Sequence, residues 1–169
     1  MANLLMRLLK HRRIDETDAK RLLGDGALER IQARVAASER HHSGEIRVCV
    51  EAGLPLSYLK RDAKARERAV MMFSKLRVWD TEHNNGVLIY LMLAEHAIEI
   101  VADRGLAKRV DPAEWQRIAG AMSAAFKAGR FEAGLEQAVD AVDALLAQHY
   151  PLAPGQTNPN ELPDAPYLR

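Results

Sequence analysis

A single cysteine, Cys49, stands in this chain of 169 residues. One thiol excludes an internal disulfide framework and a cysteine-rich zinc site. It lies within Ile46-Arg47-Val48-Cys49-Val50, which reads as a strand, with no second cysteine or histidine beside it, so it is read as a small apolar residue without a catalytic role. Net charge is also lacking: 24 basic against 23 acidic side chains leave a formal +1. No global field then draws the chain to nucleic acid or anionic lipid, and any such binding is local. No apolar run approaches the roughly eighteen residues of a membrane span. The opening Met1 to Arg13 places its charges after a short apolar run, the reverse of a secretory signal, so no export signal is read and a cytoplasmic location is expected.

What is present is an ordinary globular composition, 48% hydrophobic and 28% charged, on a length that suits one domain with a full core. Residues 1–24 form a basic N-terminal segment. Its first thirteen residues suit a short amphipathic helix, with Leu4, Leu5, Leu8 and Leu9 toward one side and Arg7, Lys10, Arg12 and Arg13 toward the other. Docking on the domain or on another protein is expected, with peripheral membrane contact as the alternative. Residues 25–150 carry the domain. Residues 151–169 hold five of the seven prolines and are expected to be extended or disordered.

Within the domain, Leu28, Ile31, Val35 and Ser38 share a helical face between Asp25 and about His42. Ile46, Val48 and Val50 alternate with Arg47, Cys49 and Glu51, a strand with one wetter face. A helix from Ser57 to about Leu76 is expected to bury Leu59, Ala63, Val70, Phe73 and Leu76. Its other face is basic, since residues 60–77 hold seven cations against two acids. That face is read as solvated, or as a site for an acidic protein or lipid headgroups; nucleic acid is not expected, because aromatic side chains are not interleaved. Val87 to Leu93 suits a central strand covered on both faces, and Ala97 to Ala102 its antiparallel partner. Asp111-Pro112 with Glu114 starts a helix that Gly129 ends, and Phe131 to Leu146 define the last helix before Pro151. The order gives a small mixed sheet with helices on both faces.

Ser43-Gly44-Glu45-Ile46-Arg47-Val48, Trp79-Asp80 with Asn84-Asn85-Gly86-Val87-Leu88-Ile89, Ile98 to Leu106, and Phe126 to Leu135 together resemble the TPM domain family, over about residues 35–150. The resemblance implies a three-layer α/β/α sandwich. It also implies divalent-metal binding, notably calcium, and acid-phosphatase-like activity, both associated with plant thylakoid-lumen and some bacterial relatives.

The loop from Trp79 to Gly86 is the focus of the functional reading. Antiparallel pairing puts it at the same end as Asp103-Arg104-Gly105, so Asp80, Glu82, Asn84 and Asp103 are the candidate ligands for Ca²⁺ or Mg²⁺, which take oxygen donors. Glu45 joins them if the first strand is parallel to the second. The alternative is that Asn84-Asn85-Gly86 supplies positive-φ turn conformations and Asp103 caps a helix. For hydrolysis, Arg104 and Arg47 could supply positive charge, and Asp80 or Asp103 could handle protons. There is no Cys-x5-Arg and no phosphate-binding glycine loop. His41, His42, His83 and His96 form no zinc pattern, since adjacent helical histidines diverge by about 100°. No organic cofactor is expected.

Overall fold

A computed structural model describes residues 2–169; Met1, the first residue of the expected amphipathic segment, lies outside them. In chain order the elements are α1 (Ala2–Arg12), α2 (Glu16–Leu23), α3 (Ala27–Ser38), β1 (Glu45–Glu51), α4 (Leu56–Lys60) and α5 (Ala65–Lys75). There follow β2 (Gly86–Met92), a 3-10 turn (Leu93–Glu95), β3 (Ala97–Ala102), α6 (Arg104–Ala107), α7 (Pro112–Lys127), α8 (Phe131–His149) and β4 (Tyr167–Leu168).

The sheet runs β3-β2-β1-β4. β1 and β2 are parallel, with Glu45 opposite Gly86 and Glu51 opposite Met92. β2 and β3 are antiparallel, with Val87 opposite Ala102, and the reversal uses His96 in the left-handed region at φ 49°. On one face Ile46, Val48, Val50, Val87, Ile89 and Leu91 pack with apolar residues of α2, α3, α7 and α8. On the other, Cys49, Leu88, Tyr90 and Met92 pack with Leu59, Ala65, Ala69 and Met72 of α4 and α5. The unbroken apolar run of β2 is thus explained by helices on both sides, and the architecture is the expected α/β/α sandwich.

Two local expectations differ from the structure. The helix expected from Ser57 to Leu76 is broken at Asp62, whose φ of 53° is left-handed. The break resets the helical phase, so Val70 is exposed while Arg68 is buried. The wetter face of β1 is dry as well: Arg47, Cys49 and Glu51 are all buried. Glu51 accepts from Arg68 Nε at 2.7 Å and from the Tyr90 hydroxyl at 2.7 Å. Burial would lower the Arg68 guanidinium, but the hydrogen bond to Glu51 overrides it and holds the group above its usual value. Burial first, and then Glu51, push the Tyr90 phenol up. Burial likewise pushes the Cys49 thiol up, which keeps it protonated and unreactive.

The proline-rich tail is extended and ordered on the free edge of β1, where β4 pairs in parallel, Cys49 opposite Tyr167. Glu45 anchors it by accepting from the Glu161 and Leu162 amides, each at 3.1 Å. Arg47 donates to the Pro163 and Ala165 carbonyls, Leu162 is buried, and the Arg169 amide donates to Val50 O at 3.0 Å. Proline suits an edge position because its missing N–H is no loss there.

At the other terminus α1 docks by one side. Arg7 Nε donates to Glu95 at 2.6 Å and Arg7 also reaches Ala63 O at 2.7 Å. His11 Nδ1 accepts from the Leu54 amide at 2.9 Å, which leaves Nε2 as the donor to Glu95 at 2.9 Å. His11 first, then Arg7, hold the Glu95 carboxyl down at about 2.

Candidate functional site

The loop before β2 is a closed turn with its own internal bonds. The Asn84 amide donates to Thr81 O at 3.3 Å and the Asn85 amide to Thr81 Oγ1 at 3.1 Å. Asn84 takes the left-handed region at φ 52°, which asparagine tolerates. Gly86 is required for space: a Cβ there would stand 2.0 Å from Val78 O. Asn85 is buried, its Nδ2 donating to Ser43 Oγ at 3.4 Å while its Oδ1 has no partner.

The segment after β3 folds against this loop. The Asp103 amide donates to Gly86 O at 2.8 Å and the Gly105 amide to Asn84 O at 2.9 Å. A Cβ on Gly105 would fall 2.4 Å from Asn84 O and 2.7 Å from His83 O, so the two loops meet at van der Waals distance. Asp103 caps α6, its Oδ1 accepting from the Arg104 amide at 2.7 Å, while Oδ2 is buried without a partner. Arg104 donates to Asn84 Oδ1 at 3.3 Å.

The structure therefore brings Asn84, Asp103 and Arg104 together. Asp80 stays on the exposed outer part of the loop, paired with Arg77. The exposed Glu82 faces solvent, its amide donating to Glu161 Oε2 at 3.1 Å. Glu45 and Arg47 are engaged by the tail. Among the described residues no three His, Cys, Asp or Glu side chains form a group able to hold a metal ion, so a cation here would draw on amide and main-chain oxygens as well. The histidines are dispersed: His42 is buried on Gly44 O at 3.0 Å, and burial lowers its pKa, while His96 meets the edge of Phe131 at 5.4 Å. The basic face of α4 and α5 is largely neutralised, by Arg61–Glu67 at 2.6 Å, Lys64–Asp62 at 2.9 Å and the buried Arg68–Glu51 pair.

Two features escaped the sequence reading. Beside Asn84 lies a cleft of about 410 Å³ lined by His83, Asn84, Arg104, Gly105, Lys108, Arg109 and Tyr150, with no carboxylate in its lining. Arg109 stacks 4.6 Å over the Tyr150 ring. The signal was present as Arg104, Lys108 and Arg109, whose spacing brings basic side chains to one side of a helical turn. The second feature is a cluster of carboxyl groups where α3 meets β1 and the tail. Glu39 accepts from the Ile46 amide at 3.0 Å and is pushed up to about 9, by burial first, with Glu45 and Asp164 adding to it. Burial also raises Glu45. Asp164 Oδ1 is buried without a partner, close to the Glu39 carboxyl whose pKa Asp164 helps to raise.

A family model described as the TPM domain matches residues 17–145. The NMR structure of BA42 from the psychrophilic bacterium Bizionia argentinensis is similar at 26% identity and a TM-score of 0.73, over 85% of this chain and 93% of that one. The N-terminal domain of a P. gingivalis protein, also solved by NMR, shares the fold at 22% identity and a TM-score of 0.62, over 78% and 83% of the two chains. None of the curated proteins matches the chain.

Proposed function

The chain belongs to the TPM domain family, and on that footing we propose that the end of the β2–β3 hairpin is its ligand site, taking a divalent cation of the calcium or magnesium class. The observation that carries this reading is the Asp103 carboxylate. One of its oxygens caps α6 and the other is buried with no donor. An unpaired buried carboxylate oxygen is costly, and a hard cation is a partner that suits it. By strand register Asp103 shares the sheet face of Gly86, and Val78 backs that face, so the Val78–Asp80 segment lies toward it. Asp80 offers a second carboxylate there once it exchanges its exposed pairing with Arg77. Titration with CaCl₂ or MgCl₂, followed by amide NMR and calorimetry, tests the reading. Shifts are expected at residues 78–86 and 102–105 and are lost in Asp103→Asn; no shift at millimolar metal overturns it.

The cationic cleft favours a second reading, the acid-phosphatase-like hydrolysis that the resemblance implies. Arg104, Lys108, Arg109 and His83 surround space for a phosphate group beside Asn84, and guanidinium groups suit phosphate oxygens. A cation held by Asp103, one residue before Arg104, could then assist that hydrolysis. Hydrolysis of an aryl phosphate should fall in both Asp103→Asn and Arg104→Gln. Activity that survives Asp103→Asn sinks this reading.

A further inference from the structure

Among the described residues, the outer side of α1 contributes nothing to the buried core. Arg7 and His11 fix the rotation of the helix through Glu95, Ala63 and Leu54, with Leu8 half-buried beside them. At 100° per residue, Leu5, Met6 and Leu9 then fall on the opposite side. Their exposures are 61%, 70% and 50%. A helix held by charged anchors could carry polar residues on its outer side at no loss to the core, yet three large apolar side chains stand there in adjacent positions. Met6, Leu9, Lys10, Arg13 and Ile14 border a shallow cleft of about 400 Å³.

The charges carried by α1 itself have one sign. α1 contains no acidic residue, and its last turn carries Lys10, His11 and Arg12. Lys10 and Arg12, and Arg13 just beyond the helix, are exposed. An apolar strip with a cationic border matches the boundary between anionic headgroups and acyl chains, which attracts basic side chains and accepts apolar ones. A second copy of the chain would set like charges against each other at this face. Among the described residues no helix is long and apolar enough to cross a membrane, so the contact is superficial. We propose that this side of α1 docks the domain on an anionic lipid bilayer, with Leu5, Met6 and Leu9 entering the interface and Lys10, Arg12 and Arg13 meeting lipid phosphates.

The full chain is floated with vesicles of phosphatidylcholine and phosphatidylglycerol in a two-to-one ratio, and with phosphatidylcholine alone. Binding is expected only to the anionic vesicles, weaker at high salt, as for any site that relies on lipid charge. Leu5→Gln/Leu9→Gln should lower partitioning by about tenfold or more. Its thermal melt should match the parent, because both side chains are exposed; the single Leu5→Gln serves if the double variant is destabilised. Lys10→Gln/Arg12→Gln/Arg13→Gln should weaken binding in parallel. The proposal is overturned by absence of binding to anionic vesicles or by binding that the apolar substitutions leave unchanged. A concentration-dependent dimer that Leu5→Gln/Leu9→Gln dissociates would also overturn it and assign the strip to a second copy.

Discussion

Replacing Glu39 with glutamine should make the protein more stable at neutral and mildly alkaline pH and flatten its dependence on pH. Glu39 is 5% exposed, and burial, with Glu45 and Asp164 nearby, raises its pKa from 4.5 to about 9. A group whose folded value lies above its unfolded one favours folding when protonated. Its contribution is complete below about 4.5 and is lost as pH rises through about 9. Between pH 5 and pH 8 the wild type should therefore lose stability on the order of 2–4 kcal/mol from this residue, at about 1.4 kcal/mol per pH unit. Glutamine copies the protonated acid: its oxygen can keep the Ile46 amide and its nitrogen can donate to Asp164 Oδ1. Urea unfolding at pH 5, 6, 7 and 8 gives the comparison directly. The two proteins should be nearly equal at pH 5, with Glu39→Gln ahead at pH 8 and melting several degrees higher. Parallel pH profiles, or a glutamine variant less stable at pH 8, would show that Glu39 is ionised in the folded state and refute the reasoning.

Arg68→Met should lower stability by about 3–5 kcal/mol, because it leaves Glu51 buried and uncompensated; urea midpoints measure it, and Glu51→Gln/Arg68→Met should recover part of the loss. Leu162→Ala should cost about 2–3 kcal/mol through the cavity it leaves between the tail and the α5 side of the sheet. Hydrogen exchange should then speed up at the Glu161, Leu162 and Arg169 amides before it does in β2, and equal protection would mean the tail does not open separately.

Much of the fold was legible because the signals are local and strong. The Val87–Leu93 run needed no partner to announce a strand covered on both faces. Asp111 with Pro112 announced α7, and Asp111 does cap it, accepting from the Ala113 amide at 2.8 Å. α2 escaped although its signal was present: Asp15 and Asp18 cap each other's amides, with the Asp18 amide donating to Asp15 at 3.0 Å and the Asp15 amide to Asp18 at 3.2 Å. The break at Asp62 left no trace in the apolar spacing, so Val70 was placed inside and Arg68 outside. Of the site, the meeting of Asn84 with Asp103 and Arg104 followed from antiparallel pairing alone. The pairing of Asp80 with Arg77 three residues earlier was overlooked, and it keeps that carboxylate at the surface.

The remaining misreadings share one cause, which is visible on β1. Glu45, Arg47 and Glu51 alternate with Ile46, Val48 and Val50, and alternation of charged with apolar residues ordinarily marks a strand half open to water. Here each charged residue is buried on a partner remote in sequence: Glu45 on the Glu161 and Leu162 amides, Arg47 on the Pro163 and Ala165 carbonyls, Glu51 on Arg68. A proline-rich segment has little local preference for order, so it was read as extended or disordered. Its order is supplied by two charged side chains more than a hundred residues earlier, whose own burial is tolerable only because the tail satisfies them. Each half looks unfinished when read alone. Periodicity registers the spacing of such residues but carries no information about their distant partners, and β1 was given a wetter face for that reason.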